Sequence, residues 1–158
     1  MLLQLRLGDD RYALDAQWVV EVVPRVVLKH LPHAPCGVAG AMNYRGSPVP
    51  VIDFSRLAGG PGAASALSTR IVVLRCPAAR GQEPGLVGLM LEGATKLLRS
   101  DDVVFLPGPA AGDAPYLGRL ASDAHGLLQE IRPEGLAAAG LRRGCVSPDD
   151  APAEAVTV

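Results

Sequence analysis

Apolar and polar residues alternate at the start of the chain, with Leu3, Leu5 and Leu7 on one side and Gln4 and Arg6 on the other. A period of two predicts a half-buried strand, and Gly8, Asp9 and Asp10 predict the turn that ends it. Tyr12 to Leu14 read as the return strand. The period then changes. Asp15 can cap a helix running to about Val23, with Ala16, Val19, Val20 and Val23 at helical spacing and Pro24 as its end. Val26 to Leu31 is β-branched enough for another strand. The LPHAP link that follows is rigid and extended, because a residue before proline is pushed out of the helical region.

Residues 37–54, GVAGAMNYRGSPVPVIDF, predict two strands that reverse at Arg45, Gly46 and Ser47, with Val49, Val51 and Ile52 inward on the second. Residues 58–68 are small and predict an exposed loop; IVVLRC at 71–76 predicts a buried strand. LVGLMLEGATKLL at 86–98 returns to the sheet, with Gly88 and Gly93 marking bends. Two last strands, Tyr116 to Ala121 and Gly126 to Ile131, flank the turn SDAHG. Pro133 then opens a terminal helix whose apolar side is Leu136, Ala137 and Leu141. Beyond Arg143 the acids Asp149, Asp150 and Glu154 meet no base, so residues 144–158 are expected to be a disordered acidic tail and 1–143 a single domain. Closely spaced short strands make the chain mainly β, as a sandwich or small barrels.

Composition narrows the function classes. Gly 18 and Pro 14 interrupt the chain too often for a long helical bundle. Lys plus Arg is 15 and Asp plus Glu 16, so the net charge of −1 provides no field for nucleic acid. A small β-barrel nucleic-acid-binding module stays as an alternative, but aromatic residues are only 4% and leave few bases stacked. Cys36, Cys76 and Cys145 form an odd set with no close pair, which points to a reducing, cytoplasmic compartment. Gln4 and Arg6 interrupt the first leucines before a signal-peptide core can form. No apolar run is long enough for direct membrane insertion.

Candidate chemistry is sparse. His30, His33 and Cys36 could place two imidazoles and a thiolate around zinc, the basis of an alternative reading as a zinc-binding enzyme. Pro32 and Pro35 stiffen that segment, and no CxxC pair or second cluster completes it, so the expectation is no metal and no cofactor. No GxSxG is present, and GGPGAAS at 59–65 lacks the ending of a phosphate loop. What remains is the turn Asn43-Tyr44-Arg45-Gly46 directly before a strand, and the acid Glu21 on the expected first helix. Arg45 is expected to pair with Glu21 and fix that helix relative to the turn.

In this order, LRLGDDRYALDAQWVVEVV at 5–23, LPHAPCGVAGAMNYRGSPVPVIDF at 31–54, TRIVVL at 69–74, LVGLMLEGATKLL at 86–98, PYLGRL at 115–120 and GLLQEI at 126–131 resemble the CheW family of chemotaxis coupling proteins. The resemblance implies a CheW-like fold of two small five-stranded SH3-like β-barrels with short helices, no catalytic activity and no cofactor. It implies an adaptor that joins the regulatory domain of a CheA-type histidine kinase to the cytoplasmic tip of methyl-accepting chemotaxis receptors. Such a protein is cytoplasmic and reaches receptor arrays through its partners.

Residue by residue, Gly40, Asn43, Arg45 and Gly46 match the family's glycine, asparagine and RG pair, and Val19 and Glu21 match its valine and glutamate. The resemblance implies that these six touch or support partner contacts. Pro50 and Asp53 fall on the P-V-[IV]-D signature, where a structural role is expected: proline fixing a strand entry, aspartate satisfying backbone donors. Tyr44 departs from the family's usual leucine. Together with three long Gly/Ala/Pro loops, it points to an adaptor of a non-flagellar system, such as one governing surface attachment.

Overall fold

The computed structural model describes residues 1–35, 37–62, 67–76, 85–94, 96–107 and 114–140. In chain order the strands are β1 (Leu2–Leu7), β2 (Asp10–Asp15), β3 (Val19–Pro24), β4 (Val38–Tyr44), β5 (Ser47–Asp53) and β6 (Arg70–Cys76). They continue with β7 (Gly85–Leu91), β8 (Lys96–Leu98), β9 (Val104–Phe105), β10 (Leu117–Asp123) and β11 (Gly126–Ile131). Two helices, α1 (Phe54–Leu57) and α2 (Pro133–Gly140), complete the set with two single 3-10 turns.

The strands divide into two sheets. One has the order β8-β1-β2-β11-β10-β9 and the other β3-β6-β7-β5-β4. Neighbours are antiparallel except for β2 with β11 and β5 with β7. The first sheet is assembled from both ends of the described chain and the second from its middle. Gly93 lies where the chain leaves one sheet for the other, so the apolar run predicted at 86–98 is split between β7 and β8.

Each sheet curls around its own core. Met42 and Tyr44 on β4, Val49 and Val51 on β5, Ile71 and Val73 on β6 and Met90 on β7 form one cluster, and Val23 on β3 packs against it. Both edge strands contribute, which closes the five-stranded sheet into a barrel. Leu2, Ala13, Leu98, Ala121 and Leu128, with Phe105, do the same for the six-stranded sheet. A third cluster lies between the barrels. It joins Leu3, Leu5 and Leu14 of one to Ile52, Val72, Leu74 and Leu89 of the other. Phe54, with no exposed surface, sits in this shared core, its ring edge-on to Tyr12 at 5.0 Å and Tyr116 at 6.0 Å between centroids. Strand β6 is buried on both faces for this reason: Ile71 and Val73 fill the barrel, while Val72, Leu74 and Cys76 face the shared core.

The mainly β, two-barrel expectation holds, with six strands rather than five in one barrel; two of the six, β8 and β9, are only three and two residues long. The helix expected from Asp15 to Val23 is replaced by the 3-10 turn Ala16–Trp18 followed by β3. The run VVEVV satisfies both periods on paper. Its β-branched residues are stiff at χ1 and favour the strand. Burial along β3 alternates accordingly, with Val19, Glu21 and Val23 half-buried and Val20, Val22 and Pro24 exposed. Asp15 still caps, accepting the Gln17 N–H at 3.0 Å. The strand expected at Val26 to Leu31 is reduced to one bridge, Lys29 with Ala41. Leu136 is buried as expected. Leu141 and residues 144–158 lie outside the described residues, as does most of the loop at 107–115.

Candidate functional site

The β4–β5 hairpin turns through two residues. Arg45 has φ 51° and Gly46 φ 86°, the positive pair that a primed two-residue hairpin turn requires. Glycine adopts this without strain, whereas Arg45 needs help. Asn43 supplies it: its side-chain Oδ1 accepts the Gly46 N–H at 2.9 Å, bracing the turn from outside the ladder. Asn43 and Gly46 thus shape the site rather than fill it.

Glu21 meets this turn from the opposite edge of the barrel. Its strand is bulged, the pairing with β6 slipping between Val19 and Glu21, and a bulge redirects the side chains beside it. The Tyr44 hydroxyl donates to Glu21 Oε2 at 2.6 Å, and Arg45 donates through Nη2 to the same oxygen at 3.1 Å. The Arg45 guanidinium also lies 5.1 Å from the centroid of the Tyr44 ring.

Magnitudes rank these contacts. The Arg45 and Glu21 side chains are 74% and 40% exposed, and an ion pair so open to water contributes about 0–1 kcal/mol. The short hydroxyl-to-carboxylate bond is charge-assisted and comes from a ring that is only 7% exposed, so it is the stronger tether. That bond to Glu21 is also the first cause of the raised Tyr44 pKa, followed by burial.

Gly40 lies elsewhere on β4, buried beneath the segment that precedes the hairpin. A Cβ there would stand 2.6 Å from the Lys29 carbonyl oxygen and 2.9 Å from Leu28 Cβ. Gly40 therefore lets the chain cross β4 closely and bridge Lys29 to Ala41. Val19 packs against the shared core between the barrels. Pro50 is the fourth residue of β5, not its entry, and precedes the stretch Val51–Asp53 that pairs with β7. Asp53 caps α1, its Oδ1 accepting the Arg56 N–H at 3.2 Å.

The structure thus brings Glu21, Asn43, Arg45 and Gly46 together at one end of the five-stranded barrel and leaves Val19, Gly40, Pro50 and Asp53 as parts of its frame. Glu21 and Arg45 do pair, but from a strand rather than from the expected helix. The Tyr44 hydroxyl was not anticipated as a partner. An inward tyrosine at the end of a strand is the available signal, since a buried phenol seeks an acceptor.

His30 and His33 are exposed, Cys36 lies outside the described residues, and no group of three or more His, Cys, Asp or Glu converges among the described residues. The Cys76 thiol is buried and pushed up to about 11, first by burial and then by the charge of Glu134, which leaves little thiolate near neutral pH. No helix among the described residues is long and apolar enough to cross a membrane.

A family model described as the CheW-like domain matches residues 1–138. The chain belongs to the CheW-like domain family. The match takes in both barrels and most of α2, so all eleven described strands lie inside one CheW-like unit. The chain is similar to the chemotaxis protein CheW of Rhizobium meliloti (strain 1021), 28% identical over 108 residues, or 68% of this chain and 66% of that protein. A probable chemotaxis protein CheW of Rhizobium etli is 28% identical over 109 residues, with the same coverage of 68% and 66%. The matched part thus spans 66% of the length of these curated relatives. The crystal structure of the scaffolding protein TtCheW from Thermoanaerobacter tengcongensis superposes with a TM-score of 0.69 at 21% identity, covering 83% of this chain and 87% of that one, which establishes the CheW-like fold.

Proposed function

We propose that this CheW-like chain is a non-catalytic adaptor. It couples the cytoplasmic tip of a methyl-accepting chemotaxis receptor to the regulatory domain of a CheA-type histidine kinase in a chemosensory array. The observation that carries the reading is the match of the CheW-like domain to residues 1–138, the whole of both barrels. Its physical task is to hold two partners at fixed geometry, for which two small barrels sharing one core are suited. The surface around Glu21 and Arg45 has both signs of charge, which suits specificity and register more than long-range steering.

The test is reconstitution. Purified chain mixed with a CheA-type kinase and a receptor cytoplasmic fragment should form a ternary complex and change kinase autophosphorylation when the receptor fragment is present. A chain that binds neither protein overturns the reading. The finer assignment to a non-flagellar, surface-attachment system is supported by Tyr44 and the long Gly/Ala/Pro loops. Deleting the gene should then impair attachment while swimming chemotaxis persists; loss of swimming chemotaxis alone refutes that assignment.

A further inference from the structure

We propose that Tyr44 is a positioning residue for partner recognition, its hydroxyl pinning the Glu21 carboxylate so that Glu21 and Arg45 present a preformed charged pair at the end of the five-stranded barrel. The inference rests on the reading of that end as facing a partner.

The argument starts from what can move. Strands β3 and β4 are the two edges of their sheet and share no backbone ladder. Glu21 and Arg45 are therefore held relative to each other by side chains and by the barrel core. Arg45 is a long side chain, mostly in water, on a two-residue turn. Tyr44 is different. Its ring packs in the cluster of Met42, Val49, Val51, Ile71 and Val73 and cannot shift without repacking that core. The ring is thus the fixed point, with its hydroxyl on Glu21 Oε2 at 2.6 Å and the Arg45 guanidinium 5.1 Å from its centroid. Both charged groups are referenced to one buried aromatic.

Pre-ordering lowers the entropy lost when a charged side chain is immobilised against a partner. The pair also keeps unused capacity. Glu21 Oε1 accepts no hydrogen bond among the described residues, and the guanidinium is largely exposed. The segment that fits is a receptor helix offering an N–H donor to Glu21 and a carboxylate to Arg45.

The experiment is calorimetric titration of a receptor cytoplasmic-hairpin fragment from the same organism into parent, Tyr44→Phe, Tyr44→Leu, Arg45→Glu and Glu21→Ala chains, and into the Glu21→Ala/Tyr44→Phe double variant. Tyr44→Phe keeps the ring and should weaken binding about three- to tenfold, the cost of ordering one charged side chain. Tyr44→Leu also removes the ring beneath Arg45 and should weaken binding at least as much. In the Glu21→Ala background the Phe change should be silent, because the hydroxyl then has nothing to position. Amide exchange across residues 38–53 should stay parental in Tyr44→Phe, which separates positioning from a general loosening of the barrel. If Arg45→Glu weakens binding and Tyr44→Phe does not, the inference is wrong and the partner-facing reading stands. An equal loss from the Phe change with and without Glu21 also refutes the inference. If Arg45→Glu binds like the parent, the reading itself falls and takes the inference with it.

Discussion

Arg11 on β2 reaches Asp123 at the end of β10 through both terminal nitrogens, at 2.9 Å to Oδ1 and 2.5 Å to Oδ2. Gln4 on β1 completes the arrangement by accepting from Arg11 Nε and Nη2. The contact ties both ends of the described chain together across the six-stranded barrel. Its side chains are only 13% and 6% exposed.

Acid should weaken the fold through this pair. The hydrogen bond from Arg11, reinforced by the His125 N–H, holds the Asp123 carboxyl down at about 2, below its ordinary 3.8. A depressed carboxyl contributes stability that is complete above its unfolded value and is lost as pH falls through the folded one. The contribution is on the order of 1 to 2 kcal/mol. Asp123→Asn should lower the urea midpoint at pH 7, and the gap from the parent should narrow as pH drops from about 4 towards 2. A gap that does not change with pH would show that the carboxylate charge is not what matters.

Gly40→Ala should detach the crossing segment. The new methyl group meets the Lys29 carbonyl and Leu28 Cβ, neither of which is the loose end of a flexible side chain. The expected cost is about 1–3 kcal/mol, as for overpacking elsewhere. Hydrogen exchange should show loss of protection at the Lys29 and Ala41 amides, which hydrogen-bond each other's carbonyls. Retained protection there, with parental stability, would mean that the crossing accommodates a side chain.

Phe54→Ala should destabilise both barrels together by about 3–5 kcal/mol, because the ring lies in their shared core. Fluorescence of Trp18, the single tryptophan, and far-ultraviolet circular dichroism should report one coincident transition in parent and variant. Separate transitions would show that the barrels fold independently.

Charge reversal tests the exposed pair. In the proposed adaptor role, Arg45→Glu should impair kinase coupling while costing less than about 1 kcal/mol of stability, as expected for a surface ion pair. Adding Glu21→Arg should recover part of the coupling. A double variant no better than Arg45→Glu alone would show that the pairing is not the reason for the loss.

Cys76 should resist alkylation in the native state. Its thiol is raised to about 11, so thiolate is scarce at pH 8, and the side chain is 4% exposed. Peptide mapping after brief iodoacetamide treatment should find Cys76 unmodified without denaturant and modified in urea. Rapid native labelling would contradict the packing around it.

Legibility in the sequence followed the strength of local signals. The NxRG turn and the runs on either side fixed the β4–β5 hairpin to within a residue, because positive-φ positions and period-two burial both act locally. The buried β6 was equally readable as an unbroken apolar run. The helix expected from Asp15 to Val23 does not form: VVEVV fits two periods, its β-branched residues lean towards a strand, and pairing with β6, about fifty residues away in sequence, completes the choice. Glu21 with Arg45 was legible from charge and resemblance. The Tyr44 hydroxyl was not, since the contact depends on two sheet edges meeting when the barrel closes. Arg11 with Asp123 left no trace for the same reason, its partners being 112 positions apart.

The interleaving of the two barrels along the chain has a practical consequence. No single cut releases one barrel intact, since the six-stranded one needs segments from both sides of the other. Trimming β11 would strip β2 of its parallel neighbour and uncover the floor on which the second barrel stands. A push delivered at the Arg45 hairpin therefore meets common masonry, since Ile52 on β5 stands in the core that both barrels share.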